Sequence, residues 1–251
     1  MQLIDTHCHL DDSRFDHDRE VVLAQAKLAG IEQLIVPATT RKSWRKIAQL
    51  VERDDSILPA YGLHPWFCDQ HQERDLKQLA GVLEQAVAVG ECGLDFGKER
   101  APESVQVHWF RLQLELAAEK GLPVIVHAYK SLDRVLSELR SFPSLRGIVH
   151  SFSGSQQQAE ALIKRGFYLG IGGAVTRTNA SRLRNVVKQM PLEYLLLETD
   201  APDQPGVAHR GARNEPAFLI EIAVEIATMR GMELSELIET CNHNARELFA
   251  I

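Results

Sequence analysis

Short apolar runs alternate with longer amphipathic segments eight times along this chain, and that alternation constrains the fold more than any other feature. The runs fall at 3–6, 33–37, 58–63, 86–90, 123–126, 147–150, 167–171 and 194–199. Between them apolar residues recur at helical spacing, most clearly over 102–120, where Val105, Trp109, Leu112 and Leu116 share a face and Gly121-Leu122-Pro123 supplies a stop. Strands separated by helices pair in parallel and are covered on both faces, which explains why "PVIVHA" and "YLLLETD" do not alternate polar with apolar. Eight such units in 251 residues predict a single α/β domain over 1–251, closed as a (β/α)8 TIM barrel, with an open doubly wound sheet as the alternative. No glycine-rich phosphate loop follows the first strand, which argues against dinucleotide binding. Two helices, 216–229 and 234–249, follow the last strand and close the domain.

Parallel barrels gather the carboxyl ends of their strands on one rim, where active sites of this architecture sit. His7 and His9 end the first run and, two residues apart, point to the same side of an extended chain. The fourth run leads into Glu91, the fifth into His127, the sixth into His150 and the eighth into Asp200. Each residue alone has a plainer explanation; His127, for example, suits a core histidine bonded to a carbonyl. A carboxylate at the end of an apolar run, however, needs a partner, and one shared cause accounts for all six: one or two cations. Four imidazoles and two carboxylates suit zinc, manganese, magnesium or a similar divalent ion. Four cysteines without a CxxC pair indicate reduced thiols and no structural zinc site.

The remaining composition narrows the setting. No apolar stretch approaches the roughly 20 residues of a membrane span, and the N-terminus shows no secretory leader, so a cytoplasmic protein without a membrane partner is expected, as a monomer or weak oligomer. A net charge of −6 disfavours a broad nucleic-acid-coating surface, yet bound cations can reverse the field at one point and attract a phosphodiester.

In order and spacing, "DTHCHL", "GLHP", "VGECGLD", "VIVHA", "VHSFSGS", "LGIGGAVT", "LLLETDAPD", "RNEP" and "NHNARELF" resemble the TatD family of metal-dependent hydrolases and deoxyribonucleases, in particular its YjjV-like branch of the amidohydrolase superfamily. The resemblance spans essentially the whole chain. It implies that His7, His9, Glu91 and Asp200 hold one ion and that Glu91, His127 and His150 hold another, with Glu91 bridging. A cation pair of this kind activates water for attack at phosphorus, and Asp200 is placed to accept that water's proton. Glu198, two residues earlier, is a candidate to orient a ligand or to lie in a buried ion pair.

His64, by the same likeness, contacts a substrate phosphate; the alternative is a turn histidine before Pro65. Arg213 is a candidate phosphate fork, and Trp66 and Phe67 are candidates for base stacking. Arg41, Lys42, Arg45 and Lys46 suit a solvated helix face. Relatives commonly carry Arg shortly after the strand-five histidine, whereas this chain has Lys130 there, a point charge. His17, His71, His108, His209 and His243 are expected on surfaces or helices.

The expected function is a metal-dependent phosphodiesterase or deoxyribonuclease acting on DNA ends or single strands. The alternatives are a small-molecule amide, lactone or phosphoester hydrolase on the same metal centre, and a binding protein that keeps metal for stability.

Overall fold

The structure is a computed structural model and describes residues 2–251. Eight strands, β1 (Leu3–Asp5), β2 (Ile31–Pro37), β3 (Ile57–Tyr61), β4 (Ala88–Asp95), β5 (Val124–Tyr129), β6 (Gly147–Val149), β7 (Phe167–Ile171) and β8 (Leu195–Leu197), form one sheet in sequence order. Every pairing is parallel and joins consecutive strands. A doubly wound sheet would reverse its strand order part-way; this one does not.

The seam between β8 and β1 is closed by other means. Thr6 N–H donates to Leu197 O (3.0 Å) and Asp200 N–H to His7 O (2.8 Å), and Cys8 bridges Ala201 in parallel. The Asp5 carboxylate accepts from Thr199 N–H (3.0 Å) and from Thr199 Oγ1 (2.6 Å). These side-chain bonds replace ladder bonds, which is why β1 and β8 are shorter than the expected runs.

Helices α1 (Arg19–Leu28), α2 (Arg41–Val51), α3 (Glu73–Val82), α4 (Glu103–Lys120), α5 (Leu132–Leu139), α6 (Gln156–Ile163), α7 (Ser181–Gln189) and α8 (Leu219–Arg230) form the outer ring, and α9 (Leu234–Phe249) follows. The expected stop after α4 is real: Gly121 takes φ 66°, the left-handed cap that glycine adopts without strain.

Each strand sends one side chain into the lower barrel: Ile4, Ile35, Ala60, Ala88, Ile125, Ile148, Tyr168 and Leu196. Ala245, Leu248 and Phe249 of α9 pack into the same cluster and form its floor. The "NHNARELF" segment also ties down strand starts. Asn242 accepts from Ile4 N–H and donates to Gln2 O, while Asn244 donates to Leu195 O. With an apolar floor, the polar residues are left to the opposite rim. Ile35→Val should cost about 1 kcal/mol, the usual cost of one deleted core methylene, read from urea unfolding.

Two strands run further at their carboxyl ends than expected. β4 continues to Asp95 through a register shift between Val89 and Cys92. β5 continues to Tyr129, so Glu91 and His127 lie within strands rather than just beyond them. No helix among the described residues is long and apolar enough to cross a membrane.

Candidate metal centre

The six rim residues converge. His7 Nε2 lies 3.2 Å from His9 Nε2, and both nitrogens face two carboxylate oxygens. His7 stands 3.5 Å from Glu91 Oε2 and 3.6 Å from Asp200 Oδ1. The corresponding distances for His9 are 3.4 and 3.6 Å. Donor atoms about 2.1 Å from one tetrahedral zinc lie about 3.4 Å apart, so this spacing fits a divalent ion. Glu91 Oε2 is buried without a hydrogen-bond partner, an orphan that a cation would satisfy. His9 Nδ1 is 3.2 Å from Pro37 O, which fixes the tautomer that leaves Nε2 free as a ligand.

A second group surrounds the other oxygen of Glu91. Oε1 is 2.7 Å from His150 Nε2, 3.1 Å from His127 Nδ1 and 3.2 Å from His64 Nε2. His127 Nδ1 and His150 Nε2 are 3.2 Å apart. Glu91 thus touches both groups, one oxygen in each. Donors of His7, His9 and Glu91, of His7, His150 and Asp200, and of His64, Glu91 and His127 each lie close enough together to hold an ion.

Electrostatics agree with the packing. Burial opposes ionisation of Glu91, but the imidazoles of His64, His150 and His7 outweigh it and hold the carboxyl well below its ordinary range. Burial pushes His7 well below its ordinary value and His64 down to about 4. For His9 and His127 burial is overcome by their carboxylate partners, and they are pushed up to about 10 and about 9. A cation would take the place of those protons.

Other residues hold the ligand candidates. Asp95 Oδ2 accepts from His127 at Nε2 (2.8 Å) and from Trp66 Nε1 (2.7 Å), and its Oδ1 accepts from Gly97 N–H (2.8 Å). This carboxylate–histidine pair sets the tautomer that turns Nδ1 toward Glu91. Gln204 Nε2 donates to Asp200 Oδ2 and to Ser151 Oγ. Neither Asp95 nor Gln204 was among the residues expected from the sequence. Asp95→Asn should weaken divalent-ion binding about 10- to 100-fold, measured by competition with a chelating dye.

Glu198 is fully buried, and burial together with Asp200 raises its carboxyl well above the ordinary range. It accepts from Ser151 N–H and stands 3.9 Å from His150 Nδ1, too far for a hydrogen bond, so it braces the loop that carries His150. Lys130, Ser151 and Asp200, within three residues of the ends of β5, β6 and β8, take φ of 55°, 48° and 57°. Such left-handed non-glycine residues gather at functional sites.

The other expected residues fall elsewhere. His64 caps the turn before Pro65, accepting from Trp66 N–H at Nδ1 (3.1 Å), and its Nε2 joins the second donor group rather than facing outward. Arg213 closes its fork on Asp18 (2.9 and 2.6 Å) and also reaches Glu215 (2.8 Å), so its guanidinium is already engaged in joining two loops. Lys130 is exposed, 5.2 Å above the Tyr129 ring. Arg41 and Lys46 pair with Asp75 and Asp16 along the solvated face of α2. His71 is not a simple surface residue: its Nε2 is 3.0 Å from His64 O and steadies that turn.

Comparison with known proteins places this geometry. The family described as "TatD related DNase" matches residues 4–250. The chain belongs to this family. A metal-dependent hydrolase of Escherichia coli K12, YjjV, is 37% identical over 257 residues, covering 100% of this chain and 98% of the relative. The 3'-5' ssDNA/RNA exonuclease TatD of Cronobacter sakazakii is 34% identical, covering 98% of this chain and 97% of that protein. Among solved structures, the crystal structure of the TatD homologue YjjV of E. coli K12 superposes with a TM-score of 0.93 at 35% identity, covering 99% and 98% of the two chains. The YjjV-like branch inferred from the motifs is thus among the family's close relatives of this chain.

Proposed function

We propose that this protein is a divalent-metal-dependent phosphodiesterase that hydrolyses DNA ends or short single strands. The observation that carries the proposal is Glu91 with each carboxylate oxygen committed to a separate group of imidazole donors. His7, His9, Glu91 and Asp200 would hold one ion, and Glu91, His127 and His150 the other, with zinc, manganese and magnesium as the candidates. Divalent ions there would lower the pKa of an attacking water and neutralise charge on the phosphoryl oxygens.

The chain's own groups supply the rest. Asp200 accepts the water's proton on a carboxylate held from behind by Gln204. Asp95 keeps His127 Nδ1 pointing inward through the bond at Nε2. Lys130, exposed just beyond β5, is the side chain available to a substrate phosphate, whereas His64 serves the second donor group through Nε2 and Arg213 contributes by joining its loop to Asp18 rather than through a free fork. The complete donor set lies within 1–251 of one chain, which favours a single working unit as a monomer or weak oligomer. All four cysteines are free and buried, which supports a reducing, cytoplasmic setting.

Relatives named as exonucleases favour the nuclease over a small-molecule hydrolase. The test is direct. Protein stripped of metal and reloaded with Mg²⁺, Mn²⁺ or Zn²⁺ should degrade single-stranded DNA, and failure with every ion would reject the proposal.

A further inference from the structure

Among the described residues seven large apolar side chains are exposed, and two of these are aromatic: Trp66 and Tyr129. They come from different elements, the turn after β3 and the end of β5, yet both flank Asp95. Trp66 Nε1 donates to Asp95 Oδ2 (2.7 Å), while Tyr129 is the β5 register partner of Asp95, with its carbonyl accepting from Phe96 N–H (2.9 Å). The same Oδ2 holds His127, so the indole stands one hydrogen-bonded carboxylate away from the second donor group. The Arg100 guanidinium lies 4.3 Å from the Trp66 ring centre, and Lys130 Nζ 5.2 Å from that of Tyr129. Gly97 lies close against both Asp95 and Tyr129: a Cβ there would come within 2.7 Å of Asp95 Oδ1 and 3.6 Å of the Tyr129 ring.

Scattered exposed apolar residues are ordinary. Two aromatic rings beside one carboxylate, each with a cation over its face and one of those cations, Arg100, 3.5 Å from Asp95 Oδ1, are not scattered. Fixing the indole N–H leaves a rigid, half-exposed ring, the platform on which single-stranded nucleic acid stacks its bases. Arg100 and Lys130 supply the positive charge that such a strand requires.

We propose that Trp66 and Tyr129, with Arg100, form a nucleobase-stacking subsite that holds one unpaired base of the substrate beside the second donor group. The substrate class rests on the nuclease function proposed above, but base binding itself can be measured without turnover. Every base has a π-face, so the subsite selects for an unstacked base rather than for sequence.

The experiment has two arms. Trp44 and Trp109 are 6% and 8% exposed and Trp66 is 49%, so quenching of tryptophan fluorescence by a small ligand reports chiefly on Trp66. Titrating metal-free protein with dAMP should give saturable quenching that deoxyribose 5-phosphate does not reproduce. The quenching should vanish in Trp66→Phe and require severalfold more dAMP in Tyr129→Leu. Quenching that persists in Trp66→Phe, or that the base-free phosphate matches, overturns the subsite.

In the second arm, metal-loaded protein is assayed on single-stranded oligonucleotides carrying an abasic nucleotide at each terminal position in turn. Trp66→Leu should lower kcat/KM on intact DNA about tenfold or more, the range of one lost base stack. An abasic nucleotide at the occupied position should cause a similar loss, and the two losses should not add. Fully additive losses at every position overturn the proposal. If wild-type protein cleaves no DNA at all, the nuclease function fails, and the fluorescence arm still decides whether the surface binds a base.

Discussion

Replacing Glu91 with glutamine is expected to remove divalent-ion binding and to lower kcat/KM on single-stranded DNA by about a thousandfold or more. The amide keeps the shape of the side chain, so the barrel should fold as before. It cannot keep the charge, and one of its two ends becomes a donor. Glu91 faces His7 and His9 through Oε2 and His64, His127 and His150 through Oε1, so the change weakens both donor groups at once. Losing several kcal/mol of charge stabilisation at the reacting phosphorus gives the stated factor. Metal content by elemental analysis and turnover should fall together while the circular dichroism spectrum stays unchanged. Full ion occupancy with wild-type turnover in Glu91→Gln would sink this role.

Gly93→Ala is expected to cost roughly 4 kcal/mol of stability, a sum of overpacking and left-handed strain. Gly93 takes φ 138°, and a Cβ there would stand 2.1 Å from His127 O, 2.9 Å from His127 N and 3.0 Å from His127 C. All three are backbone atoms of β5, so no rotamer change relieves the clash. Because Gly93 pairs with His127 in the sheet, β4 and β5 must part where the second donor group is anchored. The midpoint of urea unfolding should drop steeply, and ion binding that depends on His127 should fail before binding at His7 and His9. A variant within about 1 kcal/mol of wild type would show that β4 and β5 can separate cheaply there.

What the sequence made legible follows from period and topology. Eight apolar runs with helices between them implied a parallel barrel, and the barrel rule then brought His7, His9, Glu91, His127, His150 and Asp200 to one rim. Asp95 escaped because β4 was expected to end at 90. Glu91, Gly93 and Asp95 are spaced at the strand period, and a strand carried through to Asp95 would have flagged it. Arg213 was expected at a phosphate because its partner Asp18 lies 195 residues away, and no linear pattern announces that pairing. Gln204 was hidden for a related reason: its contacts to Asp200 and Ser151 depend on a loop whose path only the folded chain defines.

The most direct test of the central claim is a crystal structure of metal-loaded protein with the ions located by anomalous scattering. The expected result is density bonded to His7, His9, Glu91 and Asp200, with a second site at Glu91, His127 and His150 when the ion is in excess. Saturating ion with no peak within bonding distance of Glu91 would contradict it.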